Sequence, residues 1–493
     1  MRRTCNHEIL VMTQYKFADL HCHPNLKTFG QSFSKSSNKG IDRSDLWFQK
    51  TPNVLTIFLQ KLSGITRFSQ ADFTTMSQAN VKLAFVSLYP FEKGFFTHRI
   101  INPKISASLA SFITSIGYNR VRNIQQHCNY FQDLIEEYLF LLNGSRERKI
   151  NDINYSWEFH NILDDLNFKE NEIKVIPTIE GAHVFNTGLK EYGITLNKSQ
   201  IIENIRTIKA LKHPPLFITL AHNFNNDICG HASSLKPLGA LVDQSYNLNA
   251  GISELGYEVI SQMLSFRNGN PILIDIKHMS LKARLEYYNF LKIKAIETPI
   301  IVSHGAITGT SLRGASQGSL NPNFFVDEAI NFYDEELVKI AKSNGLFAIQ
   351  LDAKRLAPNK LIKKGIFERS KEEALNRSVL IIWRQIQHIA EVLDAKNLSA
   401  WDTCCIGSDF DGTINPLGGI WTSQDFQIMA NKLEKIVRHY LNSSNNLKLK
   451  SNKEVDPKEV IEKFTLKNAV NFLTRSRENL LKDRIKTELN FTL

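Results

Sequence analysis

Residues 17–25 read FADLHCHPN and end an apolar run with two histidines, His21 and His23, one residue apart. In an extended strand, alternate side chains point to the same side, so both imidazoles would face one point. Two imidazoles in that position suit a divalent metal ion, although a pair of hydrogen-bonding histidines would give the same pattern. The residues in the rest of the chain are needed to distinguish these two interpretations.

Further short apolar runs recur along the chain, each with a polar residue at its end and a helical pattern after it. With the first run, the predicted strands lie near residues 15–23, 81–89, 172–183, 215–223, 271–279, 298–306, 346–352 and 403–412. Such continuous runs are typical of parallel strands that are buried on both faces. Their alternation with helices predicts an α/β protein, a TIM-like (β/α)8 barrel. A doubly wound open sheet would also alternate, but it gives no reason for polar residues at nearly every strand end.

Two segments interrupt this alternation. Residues 24–80 hold a polar loop and an amphipathic stretch, and residues 91–170 include a long helix predicted over Asn119–Leu142. We interpret both segments as helical insertions beside the barrel mouth, with a small separate helical lobe as the alternative. Residues 442–493 read as a polar linker and a C-terminal helical extension. The whole chain, 1–493, is therefore predicted to be a single barrel domain.

The composition is ordinary for a globular protein. Hydrophobic residues make up 42% and charged residues 22% of the chain, and no apolar stretch approaches the length of a membrane span. Six cysteines lack CxxC spacing and the N-terminus has no signal-peptide pattern, so we expect reduced thiols, a cytoplasmic location and no membrane partner. The net charge of +11 is spread along the chain, and no basic-aromatic module indicates a nucleic-acid partner.

Residues that can bind metal occur at the ends of six predicted strands. They are His21, His23, Glu180, His222, His278, His304, Asp409 and Asp411. In a barrel the carboxyl ends of the strands converge on one rim. Imidazoles hold a divalent ion without cancelling its charge, a carboxylate can bridge two ions, and a second carboxylate can move a proton. The pattern predicts a site for two divalent metal ions. For Asp411 alone, we expect a cap at the start of the next helix.

Six motifs carry a resemblance to a known family. They are DLHCHPN (19–25), PTIEGAH (177–183), TLAHN (219–223), LIDIKHMS (273–280), IIVSHGAI (300–307) and IGSDFDG (406–412). In this order they resemble the membrane (renal-type) dipeptidases, peptidase family M19, of the amidohydrolase superfamily. IEGAH and GSDFDG together are specific, whereas DLHCH is shared with several families of metallohydrolases. The resemblance implies a metal-dependent hydrolase of the amide bond in a dipeptide or a small peptide-like substrate.

The resemblance also implies a ligand set. One metal would be held by His21, His23 and Glu180, and the second by Glu180, His278 and His304, with Glu180 as the bridge. The usual metal of the family is zinc, and manganese is the alternative.

Three further roles follow from the resemblance. Asp409 would handle the proton beside the first metal, while a hydroxide that bridges the two metals attacks the amide. His222 would polarise the substrate carbonyl and stabilise the oxyanion. His183 would lie behind the ligands and orient Glu180. Members of the family often form dimers, so a homodimer is an open expectation.

The chain departs from the family pattern at two places. The first motif usually reads His-x-Asp, but here it ends in His23, which makes the site more positive. The family also has an Arg-Asn pair that grips the carboxylate of the dipeptide, and this chain has Ile330 and Asn331 there. Arg313, on the same loop, is a candidate replacement for the missing arginine. These departures leave the metal chemistry in place and put the recognition of the substrate in question.

Two alternatives remain open at this point. Other barrels that begin with His-x-His are nucleases or phosphoesterases, and the positive net charge is compatible with a phosphate substrate. A barrel in which the metals have only a structural role, or from which they have been lost, could instead be a non-catalytic binding protein.

Overall fold

The computed structural model describes residues 14–34, 42–97, 101–235, 242–315, 317–362 and 370–491. Its strands are β1 (Phe17–Cys22), β2 (Val81–Leu88), β3 (Glu147–Ile150), β4 (Ile153–Phe159), β5 (Glu172–Glu180), β6 (Phe217–Thr219), β7 (Leu273–Asp275), β8 (Ile301–Gly305), β9 (Leu346–Ile349) and β10 (Cys404–Ile406).

Eight of these strands form a parallel barrel. Their order is β1-β2-β5-β6-β7-β8-β9-β10, and each pair of neighbours is parallel. The circle is completed between β1 and β10, where the backbone N–H groups of Asp409 and His23 donate to the carbonyls of His21 and Phe410, both at 2.9 Å. The predicted TIM-like barrel is confirmed, and the open doubly wound sheet is wrong.

Asp19 of the first motif strengthens the contact between β1 and β10. Its carboxylate accepts a hydrogen bond from the Ser408 backbone N–H at 2.8 Å and another from the Ser408 hydroxyl. Asp19 therefore joins β1 to the end of β10. This contact positions His21 and His23, which follow Asp19 in the sequence.

The α-helices surround the barrel. They are α1 (Leu26–Ser32), α2 (Val54–Ser63), α3 (Phe73–Gln78), α4 (Pro103–Thr114), α5 (Tyr118–Gln126), α6 (Tyr130–Asn143), α7 (Lys198–Lys209), α8 (Glu254–Leu264), α9 (Leu281–Ile293), α10 (Asp334–Lys342), α11 (Ala353–Leu356), α12 (Asn359–Ile362), α13 (Lys371–Asp394), α14 (Phe426–Ser443), α15 (Lys450–Lys453), α16 (Pro457–Glu462) and α17 (Asn468–Phe491). None of the helices in these described segments is long and apolar enough to cross a membrane.

The C-terminal helix closes one end of the barrel. Ala469, Phe472 and Leu473 at the start of α17 join a buried apolar cluster made by the barrel strands. Four members of that cluster, Phe217, Leu273, Ile301 and Leu346, are the first residues of their strands. The helix therefore covers the amino-terminal end of the barrel, and the opposite end is left for the site. The assignment of residues 1–493 to a single domain stays a prediction.

The segment 91–170 contains a hairpin that the sequence pattern did not predict. Strands β3 and β4 pair antiparallel, and β4 then pairs parallel with the first half of β5, from Glu172 to Val175. The short strand β6 pairs with β5 only at Ile179 and Glu180. The hairpin therefore covers the edge of β5 that β6 is too short to reach.

The long helix predicted over Asn119–Leu142 is wrong, because the structure divides it into α5 and α6. His127 is in an extended conformation after α5, and the Asn129 side chain caps α6 by accepting a hydrogen bond from the Gln132 N–H. An asparagine cap of this kind competes with the continuation of a helix. The periodicity of the apolar residues continues across the break, which is why the pattern alone did not reveal it.

Asp411 connects the segment 24–80 to the end of strand β10. Its carboxylate accepts hydrogen bonds from Lys27 Nζ at 2.7 Å and from the backbone N–H groups of Gln70 and Ala71 at 3.0 and 2.8 Å. The expectation that Asp411 caps the next helix is wrong, because the carboxylate binds the insertion instead.

We expect Asp411→Asn to lower the free energy of unfolding by about 3 kcal/mol, since it removes one partner of a buried ion pair. Urea denaturation followed by circular dichroism measures this difference. A variant as stable as the wild type would show that the Lys27–Asp411 pair does not hold the insertion.

Candidate active site

The carboxyl ends of the barrel strands bring the predicted ligands together. The buried side chains at this rim are His21 from β1, His23 directly after β1, Glu180 from β5, His222 after β6, His278 after β7, His304 from β8 and Asp409 after β10. Within the described residues, three groups have atoms close enough to share a metal ion: His21 with His23 and Asp409, His21 with Glu180 and His304, and Glu180 with His222 and His278.

Glu180 lies at the centre of the group. Its Oε1 is 3.5–3.6 Å from Nε2 of four histidines, namely His21, His222, His278 and His304. Its other oxygen, Oε2, is 3.3 Å from His23 Nε2. The next residue, Gly181, has φ 96°, and a Cβ there would be 2.3 Å from the His183 ring. The glycine of the IEGAH motif is therefore required by the turn that follows Glu180.

Asp409 faces the two histidines of the first motif. Its Oδ1 is 3.8 Å from His21 Nε2 and 3.6 Å from His23 Nε2, and its Oδ2 accepts a hydrogen bond from Gln350 Nε2 at 2.7 Å. The residue has φ 59°, a conformation that aspartate tolerates better than most residues. A Cβ on Gly412 would be 2.0 Å from Asp409 Oδ1, so the final glycine of SDFDG leaves space for this carboxylate.

The ring orientations fit a metal site. His23 Nδ1 lies 3.2 Å from the Ser87 carbonyl, which can only accept, so Nδ1 carries a proton and, in the neutral ring, Nε2 offers its lone pair. His304 Nδ1 lies 2.9 Å from the Ser303 hydroxyl, which itself donates to Asp275. Hydrogen bonds of this kind behind the ring are the usual support of a metal-binding histidine. The donor atoms present therefore fit divalent metal ions.

The charges at the site reinforce this fit. Burial would raise the pKa of Glu180, but the imidazoles of His222 and His21 hold that pKa well below its ordinary value. Burial, together with the neighbouring His222, lowers the pKa of His278 well below its ordinary value. Burial also lowers the pKa of His304, with His21 adding to the effect. An ionised Glu180 beside the neutral imidazoles of His278 and His304 is the protonation state that binds a divalent ion.

His23, like His222, differs from His278 and His304 in having a raised pKa. Burial would lower its pKa, but hydrogen bonds with Asp409 and Glu180 raise that pKa to about 10. Asp409 and Glu180 thus concentrate negative charge at His23. A divalent ion bound here would neutralise the charge of these two carboxylates.

Glu92 is a functional candidate that the sequence reasoning missed. Its Oε2 lies 2.6 Å from His222 Nδ1, and its Oε1 accepts from the backbone N–H groups of Asn223 and Phe224, both at 3.1 Å. Burial would raise the pKa of Glu92, but the His222 imidazole lowers that pKa to about 2. The carboxylate holds a proton on Nδ1 and orients Nε2 toward Glu180. Glu92 lies in the segment 91–170, far from the motifs in sequence, and only the fold brings it to His222.

We expect Glu92→Gln to lower kcat/KM by about 10- to 100-fold, the usual cost of losing such a supporting carboxylate, while the metal content is unchanged. Because the folded-state pKa of about 2 is below the ordinary 4.5, the stabilisation from ionised Glu92 is complete above 4.5 and is lost as the pH falls through 2. Urea denaturation of both proteins across this range should show a stability difference that shrinks at acid pH. A difference that stays constant with pH would contradict the Glu92–His222 pair.

Lys277 and Gln350 form a second support that the motifs did not reveal. Lys277 is fully buried, and its Nζ donates to Gln350 Oε1 at 3.3 Å, while Gln350 donates to Asp409. Burial and the nearby Arg355 charge lower the pKa of Lys277 to about 7. Gln350 therefore fixes the direction of the Asp409 carboxylate.

The remaining predicted residues lie farther from this centre. His183 is buried, and its Nε2 lies 2.7 Å from the Pro90 carbonyl, so its described hydrogen bond goes to that loop and not to Glu180. Arg313 is exposed on its loop. Ile330 is buried, and the Asn331 side chain donates to the carbonyls of Val326 and Arg355 at 2.9 and 3.0 Å.

The fold and the site together define a (β/α)8 metallohydrolase barrel. A model of the membrane dipeptidase family, peptidase family M19, matches residues 60–444 of the chain. The chain therefore belongs to this family and is a metal-dependent hydrolase. The family assignment favours amide hydrolysis over the nuclease and phosphoesterase alternatives.

The solved structures to which the chain is similar include three that are described as dipeptidases or metallopeptidases. A structure described as the metallopeptidase dipeptidase AC of family M19 is 11% identical, covers 94% of this chain and 99% of its own, and has a TM-score of 0.45. The probable dipeptidase PvdM from Pseudomonas aeruginosa is 13% identical over 94% of this chain and 96% of its own, with a TM-score of 0.46. A metallopeptidase from Rhodobacter sphaeroides, bound to a phosphinate mimic of L-Ala-D-Ala, is 11% identical over 94% and 99%, with a TM-score of 0.47. A search among curated proteins found no significant match. At these scores, the family assignment rests on the family model.

Proposed function

We propose that this protein is a dinuclear metallohydrolase that cleaves the amide bond of a dipeptide or a small peptide-like molecule. The observation that carries the proposal is the position of Glu180, whose two oxygens face the Nε2 atoms of five histidines at 3.3–3.6 Å. A carboxylate so placed can bridge two ions.

Two ligand sets share Glu180. His21 and His23 would complete the first set, and His278 and His304 would complete the second; Oε1 of Glu180 faces His21, His278 and His304, and Oε2 faces His23. Imidazoles with a bridging carboxylate suit zinc, and manganese is the alternative. Divalent ions held by these residues would lower the pKa of a bound water molecule and polarise the amide carbonyl.

Asp409 moves the proton in this proposal. Its Oδ1 faces His21 and His23, while Gln350 holds its Oδ2 at 2.7 Å. One oxygen is therefore left for the nucleophilic water, from which the carboxylate takes a proton that it passes to the leaving amine. The positive φ of Asp409 and the small Gly412 keep this oxygen pointed into the site.

His222 stabilises the negative charge that develops on the substrate oxygen. Its Nδ1 is held by Glu92, so its Nε2 points into the site, 3.5 Å from Glu180 Oε1. Burial would lower the pKa of His222, but Glu92 and Glu180 raise it, which favours a ring that donates from Nε2. A donor fixed before the reaction stabilises the oxyanion without reorganisation.

A substrate screen tests the proposal. The protein is loaded with zinc or manganese and incubated with a panel of dipeptides, N-acyl amino acids and phosphodiesters, with amine release and phosphate release as readouts. Amine release that requires metal supports the proposal. Metal binding without turnover of any substrate would contradict it and would favour the non-catalytic alternative. A cytoplasmic location and a homodimer stay proposals, the first supported by the free thiols of the five described cysteines.

A further inference from the structure

Two helices of the insertions expose large apolar side chains to solvent. The six residues, with their exposed fractions, are Val54 (88%), Leu55 (65%) and Phe58 (54%) of α2 and Ile105 (63%), Leu109 (49%) and Phe112 (53%) of α4. Within each helix the spacing of these residues, three or four positions apart, places them on one face. We call these six residues the α2–α4 patch.

Small or polar residues occupy the buried positions of both helices. The side chains of α2 described as buried are Thr56 and Gln60, and α4 buries Ser106 and Ala107. A helix that only covers a barrel turns its large apolar residues inward and its polar residues outward. Single apolar residues on a surface are ordinary, whereas a helix face made of them indicates an interaction site.

Contacts at the base of α2 join the two helices. The Ser69 N–H donates to the Lys50 carbonyl at 2.9 Å, which closes residues 50–69 into a loop that carries α2. At the end of α4, the Arg67 guanidinium lies over the Phe112 ring at 4.1 Å, and Lys50 Nζ donates to the Ser115 hydroxyl at 3.3 Å. The exposed apolar residues of α2 and α4 therefore belong to one region of the surface.

This region lies at the carboxyl-terminal end of the barrel, where the candidate active site is. The Gln60 side chain of α2 donates to the Asn415 side chain, in the loop after β10, at 2.7 Å. Ala107 of α4 packs in a buried cluster with Leu26 and Tyr89, which follow β1 and β2. A partner bound at the α2–α4 patch would therefore lie on the side of the barrel mouth.

The charge of the two segments that carry the patch is positive. Residues 46–71 and 93–132 contain no aspartate or glutamate, although the chain has 49 of them, and they contain three and five lysines or arginines. Burial lowers the pKa of Lys50 to about 8, and the positive charge of Arg67 adds to this effect, so these two cations lie close together at the base of α2. Lys61 of α2 and Lys104 of α4 are exposed. Exposed apolar side chains among positive charges match the surface of an anionic lipid bilayer.

Two other occupants of the patch fit less well. A second copy bound through the same patch about a two-fold axis would bring like positive charges together. A protein partner would need pockets for side chains that protrude, and Val54 is almost fully exposed. A bilayer accepts protruding apolar side chains between its headgroups without a preformed pocket.

We propose that the α2–α4 patch binds the surface of an anionic phospholipid bilayer. The six apolar side chains insert between the headgroups, and the nearby lysines and arginines face the lipid phosphates. Binding of this kind uses the faces of two helices, needs no helix that spans the bilayer and does not depend on the proposed function. The sequence led us to expect no membrane partner, because composition does not show which apolar residues the fold exposes.

Vesicle co-sedimentation tests the proposal on the full-length protein. Vesicles of phosphatidylcholine are compared with vesicles of equal parts phosphatidylcholine and phosphatidylglycerol, at low salt and at about 0.15 M salt. We expect binding to the vesicles that contain phosphatidylglycerol, and weaker binding at the higher salt, because salt screens exposed charges. Leu55→Ser combined with Leu109→Ser should lower the partition coefficient at least about 10-fold. Lys61→Glu combined with Lys104→Glu should lower it by a similar factor.

Each pair of substitutions has a control outside the patch. Ile293→Ser changes an apolar residue of α9 that is 70% exposed. Lys212→Glu combined with Lys396→Glu reverses the charge of two exposed lysines in other loops. Both controls should bind the vesicles as the wild type does. Circular dichroism shows that every variant is folded, as expected for changes of exposed side chains.

Three results would overturn the proposal. The first is a wild-type protein that sediments with neither kind of vesicle, and the second is an equal loss of binding in the patch variants and their controls. The third is a dimer, measured by light scattering, that Leu55→Ser with Leu109→Ser dissociates, since the patch would then bind a second copy. A wild-type protein that binds poly-L-glutamate and no vesicle would likewise assign the patch to an acidic protein.

Discussion

Glu180→Gln is expected to lose metal and activity together. The change keeps the shape of the side chain and removes the charge that faces the Nε2 atoms of five histidines at 3.3–3.6 Å. A neutral amide cannot bridge two divalent ions, because it offers only one oxygen. The loss in kcat/KM should exceed about 100-fold, the upper value for losing a residue that only supports a ligand.

The matched control for this prediction lies on the same strand. Glu172→Gln changes the first residue of β5, where Glu172 pairs with Lys169 and Lys174 at the other end of the barrel. It should keep both metal and activity. Metal content by mass spectrometry and kcat/KM are measured on all three proteins after circular dichroism has shown that they are folded. A folded Glu180→Gln protein with normal metal content would contradict the bridging role.

Asp409→Asn is expected to lower kcat by about 10²- to 10⁴-fold, the usual contribution of general acid–base catalysis, and to keep the metal content. Asparagine accepts the positive φ of 59° at this position, so the backbone does not change. It cannot take a proton from the water or deliver one to the leaving amine. The KM for a dipeptide should change little, because the residue acts on the reaction and not on binding.

Asp411→Asn separates this effect from a general effect of the SDFDG loop. Asp411 lies two residues away and binds Lys27, Gln70 and Ala71 on the side of the insertion. Its variant should lose stability and keep kcat per folded molecule. If Asp409→Asn instead loses metal in proportion to activity, Asp409 is a ligand and not the proton carrier.

The barrel and the centre of the site could be predicted from sequence because both depend on local patterns. In the sequence, a buried parallel strand is a short apolar run. The polar residue that follows it lies at the carboxyl-terminal rim of a closed barrel. His21, Glu180 and His304 were found in this way, each at the end of its own run. The distances among their side chains then follow from the barrel itself.

The supporting residues could not be predicted because no pattern marks them. Glu92 and Gln350 lie in unrelated segments, and each meets its partner only after long-range folding. The hairpin was missed although β4 reads INYSWEF, a strict alternation of apolar and polar residues that could have indicated a strand; only β3, which reads ERKI, is polar and exposed. Asp411 was misread because the sequence does not show which loop packs on it.

The most direct test of the account is the metal content of the wild-type protein, purified without added metal or chelator and measured by mass spectrometry. We expect about two divalent ions, zinc or manganese, bound to each chain. A folded wild-type protein that contains no metal, and that binds neither zinc nor manganese when they are added, would contradict it.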